Sequence, residues 1–252
     1  KVVSGINAES LKRVKSFFDD FVITTVTTSG TREAELSKLL ENTFRHVNIA
    51  LVNELAQFAS QLGIDIWEAI DAAASKPFGF MKFTPGPGVG GHCLPIDPSY
   101  LSWQVQTALG MPFRFVDLAN DINNHMPDYV VQRVTDVLND AAKSVKGSTV
   151  LLAGIAYKPN TGDVREAPAL RIIELLKARN ANLQAADPYV PGHLWPEGLA
   201  RVEYNSKSIA AADIVLLINQ HAEFDMQLLA DSETPVFDTR NVVPEGEGVI
   251  KL

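Results

Sequence analysis

The chain is poor in thiols: Cys93 is the one cysteine among 252 residues, so no disulfide can form within it. Folds that replace a core with cross-links are excluded, and a reducing, cytoplasmic compartment is the expectation. No stretch approaches the roughly 18 uninterrupted apolar residues of a membrane-spanning helix. The opening KVVSGINAESLK also lacks the basic-then-hydrophobic order of a secretion signal. Positive charge is in deficit, since 22 Lys and Arg against 30 Asp and Glu leave a formal net charge of -8. Nonspecific nucleic-acid binding draws its affinity from basic residues, so it is not expected, and an anionic ligand would need a local basic site. No metal is expected. What the chain does have is 46% apolar and 21% charged residues, enough to bury one or two cores.

Helix breakers are absent from residues 31–62, and Gly63 follows, so a single long helix is predicted from Thr31 to about Leu62. Its apolar positions fill more than one stripe, which suits a helix that connects domains or meets a second subunit. Ahead of it, VVSGI, AESLKRVKSFFDDF and VITTVTT read as strand, amphipathic helix and strand, the tail of a parallel-sheet domain over residues 1–30. After a short helix around Trp67 to Ala74, the run KPFGFMKFTPGPGVGGHCLPIDPSYL is too rich in Gly and Pro for regular structure. Asp97-Pro98 then reads as N-cap and first residue of a helix reaching about Leu109, and a further helix is predicted from about Asp128 to Lys143. At Ser148 the pattern becomes strand, loop, helix, strand, with later strands at RVEY, DIVLLIN and TPVFD. The predicted class is α/β: a central helical region on one long helix, for domain connection or dimerisation, residues 31–146, followed by a Rossmann-like C-terminal domain with a mainly parallel sheet, residues 147–252.

Gly86, Gly88 and Gly91 satisfy G-x-G-x-x-G, but they follow Thr84-Pro85 and lead into His-Cys-Leu-Pro rather than joining a strand to a helix. A dinucleotide turn is therefore rejected here. Small residues instead let the backbone approach a ligand while presenting His92 and Cys93. Cys93 is either a nucleophile or a small buried hydrophobe. Lys38 and Asn42, four apart, project from one helix face, and Arg45, Asn48 and Asn53 add polar groups that either support a site or satisfy a core. Lys158, Asn160, Thr161 and Arg165 lie between a strand end and a helix start, where anions are favoured, although Asp163 and Glu166 have capping-box spacing. Asp187 stands where an acid could meet a ribose, and Asp187-Pro188 is equally an ordinary turn. Arg240 ends the last predicted strand.

The blocks AELSKLLENTFRHVNIALVNELA, GPGVGGHCLPIDPSYL, GIAYKPNTGDVREAPAL and FDTRN, in this order, resemble the UDP-glucose/GDP-mannose 6-dehydrogenase family over nearly the whole chain. The resemblance implies NAD-dependent oxidation of a sugar C6 alcohol to the carboxylate, with two NAD+ consumed. By the same resemblance Cys93 captures the intermediate aldehyde as a thiohemiacetal that becomes a thioester, Lys38 and Asn42 stabilise the C6 oxygen, and Asp97 assists proton transfer or positions water. Gly88, Gly90, Gly91, His92, Lys158 and Arg240 would bind the UDP-sugar, Arg165 is the candidate cofactor contact in this chain, and the main NAD site would lie in a preceding domain. A homodimer through the central helix is implied. The form GPGxGGHCxPxDPxYL and the segment DINNHMPDYVVQRV are similar to the UDP-N-acetylhexosamine branch. UDP-N-acetylglucosamine is the substrate expected, then UDP-N-acetylmannosamine, then UDP-glucose. The alternative for these residues by themselves is a noncatalytic, dimerising nucleotide-sugar-binding module.

Overall fold

The computed structural model describes residues 1–252. Strand β1 (Val2–Val3), helix α1 (Ala8–Asp19) and strand β2 (Val26–Thr27) form a small parallel βαβ unit. Asn7 caps α1 by accepting from Ser10 N. The unit is much slighter than its sequence predicts, because α1 buries no residue and each strand pairs for two positions.

Helix α2 runs from Thr31 to Leu62 as predicted and stops at Gly63, whose φ of +68° lets the chain leave in the left-handed conformation. Helix α3 covers Ile66–Ala74 and α4 Asp97–Leu109. The N-cap of α4 is Ile96, so Asp97 is the first helical residue rather than the cap, and its carboxylate is free to bond elsewhere. Helix α5 runs from Arg114 to Asp140, beginning well before the predicted start at Asp128. Pro127, next to that predicted start, lies inside it. Proline lacks the N–H that would reach the carbonyl four residues back, but burial of Val116, Ala119, Asn123, Met126, Pro127 and Val130 along one face holds the helix through the break.

The C-terminal sheet has strands β3 (Thr149–Ala153), β4 (Asn182–Ala186), β5 (Ala200–Arg201), β6 (Ile214–Leu217), β7 (Val236–Asp238) and β8 (Val249–Lys251). Their order is β5-β4-β3-β6-β7-β8 and every pairing is parallel, the doubly wound Rossmann order with its switch point between β3 and β6. The last of these strands was not foreseen. Helix α6 (Pro168–Ala178) covers one face, and the short α7 (Ser206–Ala210) and α8 (Gln227–Ala230) the other. The capping-box reading of Asp163 and Glu166 fails: α6 starts five residues later, with Ala167 at its N-cap, and Glu166 adopts φ +52°.

Alternation along the central strands feeds two cores. Val150, Leu152, Ile214 and Leu216 point toward α5 and α6, in one apolar cluster that continues into Val52, Ala56, Ile66 and Trp67 of the helical region. Leu151, Ala153, Val215 and Leu217 point the other way, onto Ile209, Phe224 and Leu229. Trp67 also donates its indole N–H to the carbonyl of Leu252. Tight backbone contact at the switch point is set by Gly154, at φ +76°, where a Cβ would overlap the carbonyl of Asn219. Gly154→Ala is expected to reduce the unfolding free energy by about 3 kcal/mol, read as a lower urea midpoint at unchanged slope. A wild-type midpoint would show that the switch point tolerates a side chain.

Candidate active-site cleft

The carboxyl ends of β3, β6 and β7 face the glycine loop, and between them and α2 lies a cleft of about 650 Å³. Its wall includes Arg45 and Ile49 from α2, Lys82 to Thr84, Gly86, Gly88, Val89, Gly90 and Leu94 from the loop, and Tyr157, Lys158 and Arg240 from the sheet. Four lining side chains are cationic and none is acidic. Two of the four are already matched, Arg45 with Glu41 at 3.0 Å and Lys82 with Asp71. Lys158 and Arg240 form no ion pair. The ammonium of Lys158 sits 5.3 Å from the centre of the Tyr157 ring, and Arg240 Nε donates to the carbonyl of Ile218 at 2.7 Å. Burial pushes Arg240 down to about 10, with Asp238 opposing. It stays cationic at neutral pH, and a half-buried charge without an ion-pair partner is poised for an anion.

The glycine loop is held from both sides. Asn53, fully buried on α2, accepts from Gly86 N–H at 2.9 Å. A Cβ at Gly86 would sit 2.7 Å from Arg240 Nη1, so the bare backbone here lies against the guanidinium. Gly88, at φ +131°, and Gly90 meet Pro168 and the carbonyl of Glu166, and Gly91 lies under the Tyr157 ring. The sequence reading gave these glycines to the ligand. In the structure Gly88 and Gly90 line the cleft, whereas Gly91 packs against Tyr157 and is absent from the cleft wall.

Cys93 is exposed rather than buried. Its carbonyl accepts from Asp97 N–H at 2.9 Å, and Asp97 Oδ2 accepts from Asn42 Nδ2 at 2.7 Å. Of the four predicted catalytic residues, Asn42 and Asp97 are thus in side-chain contact, and Cys93 is tied to them only through its backbone carbonyl. Lys38 stands one turn before Asn42 on the same helix, with its ammonium on Glu41 at 3.2 Å, and it makes no hydrogen bond to the other three.

His92 points away from the cleft to Asp163, at 3.3 Å. Asp163 is held well below the usual carboxylate range, chiefly by its bonds from the side chain and backbone of Arg165. Arg165 is committed to that pair and lies outside the cleft. The ribose reading of Asp187 is corrected: this residue is 3% exposed and accepts from Ile155, Ala156, Tyr189 and Val190 N–H and from His221 Nε2. Burial would raise its pKa, but His221 and the amides of Ile155 and Ala156 outweigh it and the net direction is down. The carboxylate ties strand ends together, and His221 in turn accepts from Asn160 N–H, fixing the loop that carries Lys158. Lys82 and Tyr157 escaped the sequence reading, and nothing in their local pattern marks them.

Residues 32–125 match the UDP-glucose/GDP-mannose dehydrogenase family central domain, and residues 151–245 match that family's UDP binding domain. The UDP-N-acetyl-D-mannosamine dehydrogenase of Methanocaldococcus jannaschii is 30% identical over 253 residues, spanning 96% of this chain and 55% of that protein. Among solved structures, UDP-D-ManNAc dehydrogenase of Pyrococcus horikoshii superposes with a TM-score of 0.81 at 30% identity, covering 99% of this chain and 58% of that one. The native UDP-N-acetyl-mannosamine dehydrogenase of Staphylococcus aureus gives 0.79 at 32% identity, covering 99% and 57%. The chain therefore spans about half the length of the curated relatives it matches. With two successive domain matches in the family's order, laid over the helical region and the parallel sheet, the chain belongs to the UDP-glucose/GDP-mannose dehydrogenase family.

Proposed function

We propose that these residues form the substrate-binding and thiol-bearing part of an NAD-dependent dehydrogenase that oxidises the C6 alcohol of a UDP-N-acetylhexosamine to the acid. The observation that carries this reading is the pair of unmatched cations, Lys158 and Arg240, in an acid-free cleft roofed by the loop that presents Cys93. A diphosphate supplies the missing negative charge, and loop N–H groups beside it can donate where glycine leaves the backbone bare. The names of the relatives favour the manno epimer over the gluco epimer that the motif form had put first.

In the proposed reaction the Cys93 sulfur adds to the C6 aldehyde carbon and the carbonyl oxygen takes up a proton, giving a thiohemiacetal. After the second oxidation, water adds to the thioester carbon and releases the acid and the free thiol. Asn42 donates to the C6 oxygen or to the attacking water, and Asp97, already on Asn42, receives the proton of that water. Lys38 leaves Glu41 to place its charge by the developing oxyanion. Gly88 and Gly90 flank the sugar diphosphate, and Gly91 and His92 support the loop from behind.

The residues present do not build a dinucleotide turn. No helix follows Gly86 to Gly91 until Asp97, and Asp187, at the ribose-reading position of a Rossmann sheet, has its carboxylate filled by five donors. NAD+ is the proposed hydride acceptor, and its binding is assigned to a region beyond these residues, so no hydride step is given to a side chain here.

Seven apolar side chains on α2, Leu36, Leu40, Phe44, Leu51, Leu55, Phe58 and Leu62, stand 43 to 71% exposed at spacings of three, four and seven. They form a single stripe opposite the packed face. A stripe of this size calls for a cover, and we propose that a second copy of the chain supplies it. Leu55→Asp combined with Phe58→Asp is expected to convert a dimer to a monomer by light scattering with unchanged helical circular dichroism. A dimer that survives both charges would refute this interface.

For the ligand, titration calorimetry with UDP is expected to show Arg240→Ala binding about tenfold or more weaker than the parent chain. Equal affinity would remove the cleft from the proposal. For the chemistry, Cys93→Ala in the complete enzyme is expected to abolish formation of the uronate from UDP-N-acetylmannosamine and NAD+. Undiminished acid production would exclude covalent capture.

A further inference from the structure

The loop that presents Cys93 is closed at its base by polar side chains whose hydrogen bonds all run in one direction. Gly86 N–H donates to Asn53 Oδ1 at 2.9 Å, and Asn53 Nδ2 donates to Asn123 Oδ1 at 2.9 Å. Asn123 Nδ2 donates to His46 Nδ1 at 3.3 Å, and His46 Nε2 donates to Asn120 Oδ1 at 2.8 Å. Asn120 Nδ2 donates to Ser99 Oγ at 3.0 Å, and Ser99 Oγ donates to the carbonyl of Pro95 at 2.8 Å. The chain of bonds leaves the loop at Gly86 and returns to it at Pro95, passing through α2, α5 and α4. His46, Asn53 and Asn123 are each 3% exposed or less, so water cannot substitute for a lost partner.

Within the run each side chain accepts once and passes one hydrogen on, with Asn123 Nδ2 also donating to the His46 carbonyl at 3.3 Å, and this order assigns the ring hydrogen of His46 to Nε2 and leaves Nδ1 as the acceptor. A second proton on the ring would set an N–H against the Asn123 amide N–H and break the run at its midpoint. Burial already pushes the His46 pKa down, against the Asn120 bond that raises it. Charged groups on the packed elements are engaged elsewhere. On α4 Asp97 accepts from Asn42, on α5 Asp117 accepts from Ser102 and Asp121 pairs with His125, and on α2 itself Arg45 pairs with Glu41. No carboxylate bonds to the ring to stabilise an imidazolium.

We infer that His46 is a positioning residue for the Cys93 loop, holding its two ends at fixed separation while neutral and releasing them when protonated. The relevance to catalysis rests on reading Cys93 as the nucleophile; the coupling of His46 to the loop does not. The sign follows from the lowered pKa. The staple is complete above the ordinary histidine value of 6.5 and is lost as pH falls below it toward the folded value.

Amide hydrogen exchange, corrected for intrinsic rates, reads the loop directly. His46→Leu is expected to lower protection across residues 86–97 about tenfold while strands β3, β4 and β6 keep theirs. His46→Gln, which offers one acceptor and one donor, is expected to restore wild-type protection to within about twofold. As pH falls below 6.5 the wild-type loop loses its excess protection, and His46→Gln stays flat. Unchanged protection in His46→Leu, or equal loosening of loop and sheet that Gln fails to rescue, overturns the inference. If the Leu variant does not fold, the pH comparison decides alone, and a wild-type profile as flat as that of the Gln variant overturns it. Loss of the covalent mechanism, seen as acid production by Cys93→Ala, would leave these exchange results untouched.

Discussion

The site depends on a peptide segment lying flat between two bodies. Residues 86–91 run between α2 on one side and the 157–168 segment of the sheet domain on the other, and the gap has no room for side chains at its glycines. A Cβ at Gly90 would come within 2.6 Å of the Glu166 carbonyl, and one at Gly91 within 2.8 Å of the Tyr157 ring. Where only glycine fits, bare backbone becomes part of the cleft wall, at Gly86, Gly88 and Gly90. Exposure of Cys93 is a consequence of this packing, as is the approach of Arg240 to Gly86.

Charge is distributed to match. The chain as a whole is acidic, at -8, yet the cleft wall carries cations and no carboxylate. Carboxylates near it serve as holders: Glu41 occupies Lys38 and Arg45, Asp71 occupies Lys82, and Asp163 occupies Arg165 and His92. Exposed pairs of this kind contribute little to stability, so an incoming anion can exchange with them at small cost. Arg240 differs, since it is half-buried and forms no ion pair, with Asp238 acting on its charge only from a distance.

Local rules made much of this legible. The 31–62 helix could be bounded from the absence of Gly and Pro and from Gly63, and the parallel sheet followed from strand–helix alternation. The rejection of Gly86, Gly88 and Gly91 as a dinucleotide turn also follows from local context, because a proline precedes them and no helix begins behind them. Errors arose where long-range burial overrides a local preference. The helix predicted from about Asp128 begins instead at Arg114, because the apolar face of α5 carries it across Pro127. Asp163 and Glu166 read as a cap, but they fold into the loop beneath Gly90. Asp187 reads as a ribose ligand by position, and only the fold reveals five donors converging on it. The roles proposed for Lys38, Asn42 and Asp97 rest on whole-block resemblance alone, since a lysine and an asparagine one turn apart are ordinary on a helix surface.

The apolar cluster that begins on α2 and α3 passes through α5 and ends on one face of the sheet. The connection from Asp140 to Thr149 therefore joins two layers of one interior and is not a tether between independent modules. Geometry across the cleft is set by close-packed hydrocarbon, which resists shear. A change in the separation of the helical layer and the sheet would have to break apolar contacts in that shared interior.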